Sequence, residues 1–251
     1  MPMNIGLYQS ASALSALERW QDSVSQNITS SQTTGYRKRT VNFSSLSAGE
    51  LRTDPRARMG QDAGMPMFFP KVNHGVNFVT GETQPTRREF DVAIQGDGFF
   101  EVQREDGTKA YTRSGEFRLR ADRTLVAASG NEVLSDGGAP ITLIAGGGPL
   151  TINGDGTVFQ GENSLGKISV QRFANNADLI PIAGGLFVPG AASSPQRVDE
   201  PELMQGYLEG SNVTALREMV DLVLISRAYE ANQKIITTVD DQMEKTLDAL
   251  G

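Results

Sequence analysis

His74 is the one imidazole in a chain of 251 residues, so a general base with an ordinary pKa near neutrality has to be this side chain. It lies in a glycine-flanked stretch that reads as a loop, with no base-orienting residue close in sequence. A lone loop histidine is more often neutral surface than a catalyst. Cysteine is absent, which removes disulfides, thiolate metal sites and cysteine nucleophiles. The G-x-S-x-G, P-loop and H-E-x-x-H patterns are missing, and Gly96-Asp97-Gly98 stops two glycines into a dinucleotide fingerprint. Asn153, Asp155, Gly156 and Glu162 fall at positions three, five, six and twelve of a calcium loop. Thr151 stands at position one and the flanks read as strands, so NGDGT is read as a β-turn. Arg37-Lys38-Arg39 is too short a basic run to mark a phosphate site in a chain of net charge −7. A carboxylate pair for glycan hydrolysis stays open, because it needs no spacing in sequence. No catalytic residue, cofactor or metal is assigned.

The elements that would position any chemistry are dominated by the two ends. From Ala215 to Leu250, apolar or small residues fall at Leu222, Ile225, Tyr229, Asn232, Ile236, Val239, Met243, Thr246 and Leu250, with gaps alternating three and four. This is a heptad seam uninterrupted by Gly or Pro. Asn212 or Thr214 is placed to cap it, with Glu218 and Asp221 near the positive end of the helix dipole. From about Asn4 to Ser30 a thinner seam puts Leu7, Leu14, Gln21 and Ile28 at a, and Ser10, Leu17, Val24 and Ser31 at d. A short, polar-rich stripe is marginal alone. The expected fold is therefore α+β, with long N- and C-terminal helices packing as a coiled-coil-like pair and enclosing a central all-β domain of short strands. Leu7, Leu14, Leu17, Val24, Ile28, Leu222, Ile225, Tyr229, Ile236, Val239, Met243 and Leu250 are the expected packing residues between subunits.

Between the helices the texture changes twice. Residues 1–35 form the first helix and its end, where Gly35 suits a left-handed cap. Residues 36–89 carry Pro55, Gly60, Gly64, Pro66, Pro70, Gly75, Gly81 and Pro85, and read as a loop-rich extended arm with one or two short strands. Met65, Met67, Phe68 and Phe69 make an apolar cluster in it. Residues 90–205 read as short strands between tight turns, at the spacing of a sandwich or barrel. Residues 206–251 lead into and form the last helix.

The 27 glycines and few aromatics suit a turn-rich β region better than a packed enzyme core. MPMNIGLYQSASAL has neither a basic n-region nor a continuous apolar core, so it does not read as a secretory signal. No stretch approaches a membrane span. Composition alone points to a soluble cytoplasmic protein. Charge is uneven: from Gly35 to Glu89 nine basic residues stand against five acidic ones, and from Asp199 onward eleven acidic against four basic. Such ends favour salt-sensitive contacts between copies.

Four stretches resemble a known family. Asn27-Ile28-Thr29 through Thr34-Gly35-Tyr36-Arg37 is similar to the N-terminal signature of flagellar rod and hook proteins. FDVAIQGDGFFEV, with Asp91, Gly96, Gly98, Phe99 and Phe100, resembles their central segment, and AYTRSGEFRL the stretch beside it. LEGSNVTALREMVDLVLISRAYEANQKII resembles their C-terminal signature through Ser211, Asn212, Val213, Arg227, Ala228, Tyr229 and Glu230. Two positions depart: Ser30 stands where Asn is common, and Arg123 where a turn glycine is common.

The resemblance implies a structural, non-enzymatic axial subunit of the bacterial flagellar basal-body rod, crossing the periplasm. It leans to the proximal rather than the distal rod protein, through chain length and PITLIAGGGPLTINGDGTV. It further implies helical assembly around a central export channel and transmission of torque from motor to hook. Implied partners are other copies, neighbouring rod proteins and the flagellar type III export apparatus, with no nucleic acid, no membrane insertion and no cleaved signal. That corrects the cytoplasmic expectation. Two other readings compete. A coiled-coil adaptor or adhesion module predicts a small discrete oligomer. A carboxylate-dependent glycan hydrolase predicts wall-degrading activity lost with one Asp or Glu.

Overall fold

In the computed structural model, residues 3–51, 65–191 and 193–248 are described, with side chains over 9–45, 71–191, 193–245 and 248. Leu250, and the side chains of Leu7, Thr246, Met65, Met67, Phe68 and Phe69, lie outside the described residues. The chain forms two compact units, one of Met1–Ile28, Arg39–Gly75 and Thr214–Gly251, the other of Thr29–Lys38 and Val76–Val213.

The first unit holds helix α1 (Met3–Thr29), strands β1 (Arg39–Leu51) and β2 (Met65–Val76), and helix α2 (Ala215–Asp248). The run of Leu, Ala, Gln and Glu sustains α1, and the polar Ser30–Thr33 turn ends it, with the Thr33 amide donating to the Ser30 carbonyl at 3.0 Å. The expected coiled-coil-like pairing of the helices is not found. Buried on α1 are Ser10, Ala16, Ser23, Val24 and Asn27, mostly small or polar, and on α2 only Glu218 and Ile225, among the described residues. Among the described residues, neither helix contributes to the larger or the smaller buried apolar cluster. Knobs-into-holes packing needs large apolar side chains locked into the partner along both seams, and the Ser/Ala/Gln stripe of α1 does not supply them. Two helices flank a largely β middle in the chain, without a coiled-coil seam.

The segment expected to be loop-rich carries two long strands. β1 and β2 pair with each other, and Ser44 Oγ reaches the Lys71 carbonyl at 3.4 Å while Asn73 Nδ2 donates to Ser44 Oγ at 3.1 Å. His74 belongs to β2, not to a loop, and is exposed. Trp20 of α1 meets Phe43 of β1 edge-on at 5.6 Å between ring centres.

The second unit is built mainly of β-strands, with short 3-10 turns at Asn176–Asp178 and Ala183–Gly185. Its nine-stranded antiparallel sheet runs in the order Leu179–Ile182, Leu186–Pro189, Lys109–Thr112, Phe99–Gln103, Glu132–Val133, Leu125–Ala127, Phe117–Leu119, with Val170–Phe173 and Pro195–Arg197 attached beside Phe99–Gln103. Leu150–Ile152, Thr157–Gln160 and Asn163–Lys167 form a three-stranded sheet. Val92–Gln95 pairs with Glu202–Gln205, and Thr83–Pro85 with Tyr207–Glu209. The Gly-Asp-Gly turn thus joins two strands that belong to different sheets.

Alternation along Phe99–Gln103 separates the two phenylalanines of the central motif. Phe100 is wholly buried in the larger apolar cluster, 5.0 Å from Phe117, with Val92, Val102, Leu125, Ile141 and Val170 in the same cluster. Phe99 points to the smaller one, with Tyr111, Phe173 and Phe187. Residues i and i+1 of a strand face opposite sides, so one dipeptide anchors two cores.

Candidate functional site

Glu209 ends the strand Tyr207–Glu209, and its carboxylate is the centre of a buried ionic node in the second unit. Arg113 Nε approaches Glu209 Oε2 at 2.6 Å, and Arg37 Nη1 approaches Oε1 at 2.6 Å. All three side chains are at most 3 % exposed. The Gly81 amide donates to Oε1 at 2.8 Å, and the Gly35 amide to the Glu209 carbonyl at 2.8 Å.

Arg113 does more than neutralise one charge. Its Nη2 donates to the Ile94 carbonyl at 3.1 Å and also to that of Gly96, and Nη1 donates to the carbonyl of Gly98. A planar five-donor guanidinium suits this task of satisfying several converging acceptors. Arg37 is poorer in partners: its Nε has no acceptor among the described residues. Burial lowers the Arg37 pKa, contact with Glu209 offsets this in part, and the neighbouring Arg113 charge adds to the depression. For Glu209, burial pushes the pKa up, but contact with Arg37 and the charges of Arg113 and Arg37 outweigh it and hold the carboxyl below its usual range.

Two further motif residues close the node. Asn212 accepts from the Lys38 amide at 2.6 Å and donates to the carbonyls of Asn77 at 2.8 Å and Val79 at 2.7 Å. It therefore does not cap α2, whose first residue is Ala215. Gly35 has φ +67° and lies in a turn beyond the end of α1, so it is left-handed without being the helix cap. A Cβ there would stand 2.3 Å from the Ser114 amide nitrogen, which excludes any other residue on space as well as on backbone conformation. Thr34 Oγ1 and Ser114 Oγ share a hydrogen bond of 2.8 Å beside it.

The remaining motif positions are spread along the chain. Tyr36 and Asp91 are buried, with Asp91 Oδ2 accepting from Arg88 Nε at 2.7 Å. Gly96 and Gly98 both have positive φ, in the turn whose carbonyls Arg113 binds. Ser211 Oγ accepts from the Val213 amide at 3.2 Å. On α2, Arg227 and Glu230 are exposed, and Ala228 and Tyr229 half-buried.

In the first unit, Asn27 is a separate junction. Its Oδ1 accepts from the Arg39 amide at 2.8 Å, and its Nδ2 donates to the Arg39 carbonyl and to Glu218 Oε2, both at 2.9 Å. Of the expected packing residues, Val24 and Ile225 are buried, while Leu14, Leu17, Ile28, Leu222, Tyr229, Ile236, Val239 and Met243 are half-buried.

Sequence reading passed over Arg113, Glu209 and Glu218 as site residues although they stand inside motif stretches. The signal was a charge set among apolar strand positions: Ala110, Tyr111 and Thr112 before Arg113 are all buried, as is Leu208 before Glu209. Asp155, in the calcium-like stretch, accepts from the Thr157 amide at 3.0 Å and hydroxyl at 2.8 Å, in a hairpin turn between Leu150–Ile152 and Thr157–Gln160. No group of three or more His, Asp or Glu placed to hold a metal occurs among the described residues. Nor is any helix there long and apolar enough to cross a membrane.

The family model described as the flagellar hook protein FlgE/F/G D1 domain matches residues 93–160, and that described as flagellar basal body rod FlgEFG protein C-terminal matches 204–249. The chain is 32 % identical over 251 residues to the flagellar basal-body rod protein FlgF of Caulobacter vibrioides, covering 99 % of both chains. To the flagellar basal-body rod protein FlgG of Borreliella burgdorferi it is 34 % identical over 259 residues, with 94 % of this chain and 95 % of the relative covered. The FlgG of Agrobacterium fabrum is 31 % identical over 251 residues, with 92 % and 94 % covered.

Proposed function

Because the chain belongs to the flagellar basal-body rod protein family, we propose that it is an axial subunit that assembles helically with its own copies and with neighbouring rod proteins around a central channel. The rod crosses the periplasm and carries torque from motor to hook, and the proximal rod is the position we assign to this chain. The subunit reaches it through the flagellar type III export apparatus.

The observation that carries this reading is the likeness to a rod protein over 99 % of both chains. The node adds physical support. Motif residues from four distant stretches meet as internal braces, with Arg113 and Glu209 paired to each other and to the backbone groups around them. Such braces suit a load-bearing body. α2 offers the means of assembly, because its seam residues Leu222, Tyr229, Ile236, Val239 and Met243 are only half-buried in the single chain. Burying that apolar surface between neighbours drives association at about 25 cal/mol per Å², before entropic costs.

The test is to restore a strain lacking this protein with tagged native chain or with Ile236→Asp or Tyr229→Asp, and to isolate basal bodies. Native chain is expected in the rod, and each variant absent from it with an unchanged β-sheet circular dichroism signal. A native chain missing from basal bodies that still supports motility would overturn the reading.

A further inference from the structure

Asn153-Gly154 is the one place in the sequence where glycine follows asparagine. The pair sits in the hairpin turn between Leu150–Ile152 and Thr157–Gln160, and both residues are exposed. The Asn153 backbone is engaged: its amide donates to the Thr157 carbonyl and its carbonyl accepts from the Gly156 amide, both at 2.9 Å. Its side chain makes no hydrogen bond among the described residues, and the Gly154 amide donates none there either. Asn27, Asn212 and Asn232, by contrast, hold their side-chain amides in hydrogen bonds. Glycine at 154 answers no need of the fold. Its φ is not left-handed, and beyond its chain neighbours a Cβ there would meet only the Leu203 carbonyl oxygen, at an ordinary 3.7 Å. What the missing side chain does is leave the peptide nitrogen after Asn153 unshielded.

We propose that Asn153 is a site of spontaneous deamidation, through attack of the Gly154 nitrogen on the Asn153 side-chain amide. Hydroxide removes the Gly154 amide proton, and the nitrogen bonds to Asn153 Cγ. The Cγ–Nδ2 bond breaks, and Nδ2 takes a proton from water and leaves as ammonia, which regenerates the hydroxide. Water then opens the cyclic succinimide. Addition at Cγ gives aspartate, and addition at the main-chain carbonyl carbon gives isoaspartate, with the chain rerouted through Cβ and Cγ. The two products act differently on the turn. Aspartate keeps the main chain and adds a charge to a turn that already holds Asp155. Isoaspartate adds a methylene to the main chain inside a turn whose length the bonds of Asn153 with Thr157 and Gly156 fix. It also displaces the Gly154 carbonyl, which accepts from the Leu203 amide at 2.8 Å. The hairpin end and its hold on the strand Glu202–Gln205 therefore loosen as the chain ages. None of this depends on the rod reading.

The experiment keeps purified full-length chain folded in mildly alkaline buffer, samples it over weeks and maps its peptides by mass spectrometry. Native chain is expected to gain acid at Asn153 about tenfold faster than at any other asparagine, with isoaspartate the larger product. Gly154→Ala fits the turn and shields the nitrogen, so it is expected to melt with the native chain and to react about tenfold more slowly. Hydrogen exchange at the Leu203 amide is expected to quicken in aged native chain and to stay near the fresh value in Asn153→Asp, which carries the charge without the longer main chain. Acid appearing at Asn153 no faster than at other asparagines overturns the proposal. So does a native chain that reacts only once unfolded in urea, because the folded turn then holds the nitrogen away from Cγ. A Gly154→Ala chain as reactive as the native one overturns it too.

Discussion

Asn27 Nδ2 lies 2.9 Å from Glu218 Oε2, tying the last turn of α1 to the first turn of α2 across 191 residues of chain. Both side chains are essentially inaccessible to water. Asn27→Ala removes this bond and both bonds to the Arg39 backbone, and buried groups left unpaired cost about 1–3 kcal/mol each. Because the two residues share a bond, Asn27→Ala with Glu218→Ala should cost less than the two single changes added together. Urea denaturation of the three variants measures this, and strict additivity would show that the bond carries no coupling.

The two arginines of the node should not be equivalent. Arg113→Leu strands the carbonyls of Ile94, Gly96 and Gly98 and one side of Glu209, so a loss of roughly 3–5 kcal/mol is expected. Arg37→Leu leaves Glu209 paired one-to-one with Arg113 and removes a buried Nε that has no acceptor. Its cost should be clearly smaller. Equal denaturation midpoints for the two variants would contradict this asymmetry.

Acid should act through the same carboxylate. The folded pKa of Glu209 is below its ordinary value of 4.5, so its contribution is present above about pH 4.5 and is lost as pH falls through the folded value. Glu209→Gln should be destabilised at neutral pH and should lose less further stability on acidification than the native chain. Thermal melts at pH 7 and pH 3 compare the two slopes.

Alkali should act through Tyr111. Burial first, and the nearby Glu101 carboxylate second, push its phenol up to about 12. A raised acid pKa contributes stability below the unfolded value near 10 and loses it as pH rises through the folded one. Ultraviolet titration at the phenolate band should find the Tyr111 phenol ionising late. Glu101→Gln should lower that midpoint only in part, because burial is the larger cause.

Arg123 adopts φ +68° in the turn from Arg120 to Thr124, where the Arg123 amide donates to the Arg120 carbonyl at 2.8 Å. A non-glycine residue there costs roughly 1–2 kcal/mol in backbone strain. Arg123→Gly removes that strain against glycine's greater freedom when unfolded, so a gain of up to about 1 kcal/mol in denaturation free energy is expected. A loss would mean that the Arg123 side chain outweighs its backbone.

Much of the local structure was legible. α2 runs over the heptad stretch, α1 over the thinner one, and short strands follow one another from Val92 onward. The departure of Arg123 from a turn glycine marked a position that is indeed left-handed. The β1–β2 pairing was less visible, because the glycines and prolines of that stretch read as breakers while each strand finds its strand partner in the other. Coiled-coil packing of α1 with α2 was inferred from two heptad patterns, and a pattern states which face is apolar without stating what covers it. The small and polar residues of α1 are where that inference failed.

Sequence by itself determined the periods, the turns that need glycine, the absence of thiol chemistry and the motifs that mark the family. Tertiary structure alone decided that Arg113 and Glu209, 96 residues apart, neutralise one another, and that Asn212 binds the backbone of Lys38, Asn77 and Val79 instead of capping a helix. The reason is physical. Backbone propensity and side-chain alternation act over a few neighbouring residues, whereas the strength of a buried charge pair depends on distance and dielectric in space and takes no account of separation along the chain.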